Sequence, residues 1–130
     1  MITKKDIINF SNLCGCCGYH PERKEQHRKL GRKILRELVK LIGLEKEEYE
    51  IRYNEGGIAV DGDHVLHTHK FYLALSDNLG AGWFFWRKCH GIKDFGTGTD
   101  TPNQKVKWSD FCNNGLEFLA NKLKEIQKTH

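Results

Sequence analysis

Residues 12–27, NLCGCCGYHPERKEQH, carry three cysteines and two histidines in a chain that has five cysteines in all. Cys14 and Cys17 form a C-x-x-C pair in a glycine-rich stretch, a form that aims two thiolates at one point while backbone N–H groups face the sulfurs. His20 follows three residues on and His27 seven beyond it, so the spacing reads C-x2-C-x2-H-x6-H. Zinc takes four such ligands in a tetrahedron, with Zn–S near ~2.3 Å and Zn–N near ~2.0 Å. The expected metal set is therefore Cys14, Cys17, His20 and His27 around a structural zinc. His27 fits it least easily, because a helical rise of ~1.5 Å per residue puts it about 10 Å along the axis from His20. Cys16, Cys89, His90, His67 and His69 are the alternative fourth ligands. The plainer reading buries Cys14 and Cys17 between two helices as small hydrophobes, with His20 at a helix cap. A redox C-x-x-C is expected at a strand-to-helix junction of a βαβ unit, and no such unit is evident in the sequence.

Three further stretches carry chemistry. In HVLHTH, His67 and His69 sit two apart on what reads as one long strand, sharing a face with Val65, where they could hold a metal or simply contact neighbouring strands. WFFWRK supplies Trp83 and Trp86 with Arg87, a pattern that can stack bases while a cation neutralises phosphate. A strand buried on both faces is the plain alternative, and a sticky face would favour a protein partner or self-association. Between Arg23 and Lys40 lie eight Lys or Arg against two Glu. Arg23, Lys24, Arg28, Lys29, Arg32, Lys33 and Arg36 spread over the solvent side of a helix, as either a solvated face or a contact for RNA, DNA or an acidic protein.

These residues must be positioned by the elements around them. Thr3 and Asp6 start a short helix over 4–13, with Ile7, Phe10 and Leu13 on one face. Pro21 opens a second helix that runs to Ile42 and stops at Gly43. Its inward stripe reads His27, Leu30, Ile34, Leu38 and Leu41, widened by Leu35, Val39 and Ile42. The period then falls to two. Tyr49, Ile51 and Tyr53 alternate, and Ile58–Val60, the long run HVLHTHKFYLALS and WFFWRKCH complete a four-stranded antiparallel meander. GIKDFGTGTDTPNQ reads as a loop. A last helix capped by Ser109 or Asn113 carries Cys112, Leu116, Leu119, Leu123 and Ile126. The expected fold class is α+β: two N-terminal helices, the meander and one C-terminal helix, in a single domain spanning 1–130 with a zinc-knuckle-like segment at about 12–27.

Net charge is +4, mildly basic and too weak by itself to diagnose nucleic-acid binding. No apolar run reaches the roughly 20 residues a bilayer demands, and the start MITKKDIINF lacks a signal-peptide pattern, so a cytoplasmic location is expected. In a reducing compartment the cysteines are expected to bind metal or lie buried rather than cross-link.

Two resemblances bear on function. GDH at 62–64 and CHGIK at 89–93 resemble parts of the ββα-metal nucleases of the HNH type, which implies a metal-dependent nuclease using His64, His67 or His69. A second C-x-x-C and an Asn between the histidines are missing from that pattern. The compact cluster CGCCGYH on a small basic α+β chain without a catalytic set resembles phage-encoded type II-A anti-CRISPR proteins, inhibitors of Cas9. That resemblance implies a zinc-supported, non-enzymatic protein in a bacterial host that binds Cas9 or its RNA complex and hinders nucleic-acid loading or cleavage. The competing class is a nucleic-acid-binding module using the basic helix 21–42 and the aromatic strand 83–90.

Overall fold

The computed structural model describes residues 2–14, 20–54, 62–76, 82–95 and 100–128. Helix α1, Lys4–Leu13, starts where the Thr3 hydroxyl accepts from the Asp6 backbone N–H at 3.2 Å and the Asp6 carboxylate accepts from the Thr3 N–H at 2.9 Å. Such a reciprocal cap satisfies two of the donors a helix start leaves bare, and contributes about 1 kcal/mol. Helix α2, Pro21–Ile42, ends at Gly43, whose φ of 84° turns the chain left-handed while its N–H closes onto Val39. Ile34, Leu35, Leu38, Val39 and Ile42 are buried along one side of it, as the stripe predicts, and Leu30 and Leu41 are half-buried at its margins.

A single 3₁₀ turn at Lys46–Glu48 leads into a five-stranded antiparallel sheet in sequential order. Its strands are β1 Tyr49–Asn54, β2 Asp63–Thr68, β3 Phe71–Leu75, β4 Trp83–Lys88 and β5 Gln104–Lys107. The α+β class stands, with two differences in strands. The run HVLHTHKFYLALS is a hairpin rather than one strand. The Thr68 hydroxyl accepts from the N–H groups of Lys70 and Phe71 at 3.0 and 3.1 Å, capturing donors that a continuing strand would have spent on a ladder. The end of the expected loop forms β5, a short edge strand in which Lys105 and Lys107 flank one half-buried valine. Charged residues on so short an edge discourage pairing with another chain. The Ile58–Val60 strand expected from sequence lies outside the described residues.

The C-terminal helix is also two. Helix α3, Trp108–Asn114, stops at Gly115, whose φ of 81° no ordinary helical residue adopts, and α4 runs Leu116–Lys128. Trp108, Phe111, Leu116, Leu119 and Leu123 join Ile7, Phe10 and the α2 stripe over Leu66, Leu73, Phe84 and Trp86, so every helix contributes to one core on one face of the sheet. No helix among the described residues is long and apolar enough to cross a membrane.

One glycine decides how closely α2 approaches that face. A methyl group on Gly31 would fall inside the van der Waals envelope of the His64 imidazole on β2, and this ring is boxed in by Phe10, His27 and Tyr53. In an exposed helix Gly→Ala gains about 1 kcal/mol, whereas overpacking a rigid core costs about 1–3 kcal/mol. We expect Gly31→Ala to be destabilising by up to about 2 kcal/mol in a urea melt; a gain in stability would show that α2 is not held this close.

Candidate anion-binding site

On α2, Arg28, Arg32 and Arg36 recur every four residues and so form one row, immediately beside the buried row His27, Gly31 and Leu35. Because Gly31 lets the helix settle onto His64, the arginine row overhangs edge strand β1. Between them lies a cleft of about 160 Å³ lined by Arg28, Arg32, Arg36, Ile51, Arg52, Tyr53 and His64. Among the described residues no carboxylate lines it. The Arg52 guanidinium turns to the opposite face of the sheet, where it meets His67 Nδ1 at 2.9 Å and lies 4.9 Å from the centre of the Phe95 ring. A neighbouring depression of about 310 Å³ is lined by Pro21, Lys24, Glu25, Arg28 and Tyr53. Glu25 there pairs with Arg28 at 2.9 Å and holds its own pKa low through that hydrogen bond.

Beneath the row runs a buried column of polar rings. Cys14 Sγ is 3.4 Å from His27 Nε2, and Phe10 stacks on the His27 ring at 4.7 Å with the planes 13° apart. His27 meets His64 at 5.0 Å between ring centres, and His64 meets Tyr53 at 4.8 Å. Burial pushes the His64 pKa down from 6.5 to about 3, with the neighbouring His27 and Arg28 adding to the effect and a hydrogen bond to the His27 main chain opposing it. On the other face of the sheet burial likewise lowers the His67 pKa, aided by Arg52.

The expected metal ligands separate into three cases. Cys14 and His27 are brought together, both buried, at a spacing that suits a thiol–imidazole hydrogen bond. It also suits two ligands of one tetrahedral ion, which the bond lengths of zinc place about 3.5 Å apart. Cys17, with Cys16, lies outside the described residues. His20 is exposed at the cap of α2 and makes no side-chain cap bond. Among the described residues no three His, Cys, Asp or Glu side chains are grouped to hold an ion.

The alternative ligands are scattered. His67 Nε2 meets the Gly91 carbonyl at 3.1 Å, while His69 is exposed in the β2–β3 turn, so the two do not project together. Cys89 is buried with its thiol donating to the Thr68 carbonyl at 3.3 Å, and burial raises its pKa. His90 is exposed and pairs with Asp100 at 2.7 Å. His64 is the second residue of β2, whereas His90 follows β4 beyond the opposite end of the sheet, so the two halves of the nuclease-like pattern do not converge.

Among the expected partner-binding residues, Arg23, Arg28, Lys29, Arg32, Lys33 and Arg36 are exposed on α2 and Lys24 is half-buried. Strand alternation corrects the aromatic set. Phe84 and Trp86 point to the helices, and Trp86 is a core residue at 7% exposure. Arg87 faces the other way but is only 1% exposed, because the segment after β4 folds over it: its Nη2 donates to the Asp94 carbonyl at 2.9 Å and its guanidinium lies 4.8 Å from the Tyr72 ring. Trp86 and Arg87 are therefore structural. Trp83 alone of the three is half-exposed, beneath the Lys105 ammonium at 4.6 Å. Sequence reasoning missed His64 as part of the cleft; a glycine amid strong helix formers at Gly31 was the available signal. Comparison with protein-family models, curated proteins and solved structures finds no match to the chain.

The His64 shift carries a pH dependence with a definite sign. Above about pH 6.5 the ring is neutral in both folded and unfolded chains. Below that the unfolded chain takes up a proton which the folded chain refuses until about pH 3, so stability falls with pH by up to about 1.4 kcal/mol per unit. We expect the melting temperature to decline between about pH 6.5 and 5, where carboxylates are still ionised, and to decline less in His64→Gln; a flat profile in the parent chain contradicts a neutral buried His64.

Proposed function

We propose that the protein is a non-enzymatic binding protein that engages the phosphate backbone of a nucleic acid through the arginine row of α2. The observation that carries this reading is the row itself: three arginines on successive turns beside a cleft in whose lining, among the described residues, there is no carboxylate. Guanidinium groups match phosphate oxygens in a planar fork, and each phosphate neutralised releases counterions. The net charge of +4 argues against mimicry of DNA, for which an acidic surface is expected.

The resemblance to Cas9 inhibitors narrows the proposal. In that form the nucleic acid is the guide RNA or target DNA of a Cas9 complex, and the protein acts by occupying its path. A structural zinc belongs to the same proposal: Cys14 and His27, with Cys17, would hold it, and it would tie the end of α1 to the start of α2. The ion would supply cross-linking in a small domain and no chemistry.

Three measurements test these statements. Affinity for a labelled single-stranded oligonucleotide should fall steeply with salt, and changing Arg28, Arg32 and Arg36 together to Gln should weaken it at least tenfold and reduce the log–log slope by about 2, at roughly 0.7 per phosphate contact. Salt-independent or unchanged binding refutes the reading, whereas binding without inhibition of DNA cleavage by a purified Cas9 complex refutes only its narrower form. Elemental analysis should find one zinc per chain, lost together with several degrees of melting temperature in Cys14→Ser; a metal-free parent chain whose melting is unmoved by a strong chelator refutes the zinc.

A further inference from the structure

We infer that the cleft between α2 and β1 is a seat for one phosphate group of the bound nucleic acid, set back from the rest of the basic helix face. This rests on the nucleic-acid reading above and sharpens it, from a diffuse positive surface to a particular site.

Three observations converge on the cleft. The first is size: about 160 Å³ is well below the roughly 300–1,000 Å³ of sites that enclose a drug-sized molecule, so it suits one small polar group of a larger ligand. The second is charge. Arg28 already shares Glu25, but among the described residues neither Arg32 nor Arg36 lies within ion-pair distance of a carboxylate. Like charges four residues apart on a helix repel, so the row is a helix-destabilising arrangement that an anion would relieve. The third is rigidity. The wall opposite the arginines is made of Ile51, Tyr53 and the fully buried His64, all fixed by the sheet, so the cleft exists before a ligand arrives. Preformed walls cut the ordering cost of binding. Lys29 and Lys33, on the same helix and also exposed, line neither this cleft nor the neighbouring depression.

That contrast supplies the test. Inorganic phosphate is titrated into the full chain at low salt by calorimetry, for the parent, for Arg32→Gln with Arg36→Gln, and for Lys29→Gln with Lys33→Gln, two variants that remove the same charge from exposed positions. The seat predicts saturable binding with one site per chain, weakened at least tenfold in the arginine pair, changed less than about threefold in the lysine pair, and displaced competitively by the oligonucleotide. Equal loss in both pairs, or no saturable binding, overturns the seat. Oligonucleotide affinity measured on the same samples keeps the two claims apart: if it falls equally in both variants the seat is wrong and the nucleic-acid reading stands, and if it falls in neither the nucleic-acid reading itself fails.

Discussion

The contact between Gly31 and the imidazole of His64 governs the arrangement of the rest. A helix of ordinary residues lying on a sheet is held off by its own β-carbons. At Gly31 there is none, and the His64 ring fills the space against the α2 backbone. His27, one turn earlier on α2, packs on the same ring and reaches Cys14 at the end of α1. Arg28, Arg32 and Arg36 follow one position behind this buried row and are carried over the β1 edge as a consequence. The glycine thus links core packing to surface electrostatics: what lets the helix sit close also brings positive charge to the rim of a cleft.

Much of this was legible in the chain and some of it was not, for identifiable reasons. The caps of α1 and α2 were plain, since Thr3 and Asp6, Pro21 and Gly43 each perform a local task that needs no tertiary partner. The α2 stripe was equally plain because periodicity over 22 residues averages out accidents. The β2–β3 hairpin was hidden. It is turned by a threonine hydroxyl, and its turn residues Thr68, His69 and Lys70 include neither the glycine nor the proline that usually marks such a turn. The break at Gly115 was masked by an apolar stripe that continues on both sides of it and reads as one helix.

The candidate site shows the same division. Cys14 and His27 do meet, as residues of their types placed thirteen apart could do once α1 folded back on α2. His64 could not be joined to them from spacing, because its partners belong to three different elements. Arg87 illustrates the reverse error. A cation next to aromatics in sequence reads as a surface contact, yet the chain after β4 folds across it and Asp94 satisfies its guanidinium. Composition cannot distinguish an arginine awaiting a phosphate from one already occupied by a backbone carbonyl. On α2 the distinction lies in the cleft lining: Arg28 is already paired with Glu25, whereas among the described residues Arg32 and Arg36 have no carboxylate within ion-pair distance.

The central claim is that the nucleic acid meets this molecule at the junction of α2 and β1. Backbone amide chemical-shift mapping of the labelled protein with an unlabelled oligonucleotide tests it most directly. The account predicts that the largest changes cluster at Arg28, Arg32, Arg36 and Tyr53. Changes gathered instead on the opposite face of the sheet, around Trp83, Phe85 and Phe95, would contradict it.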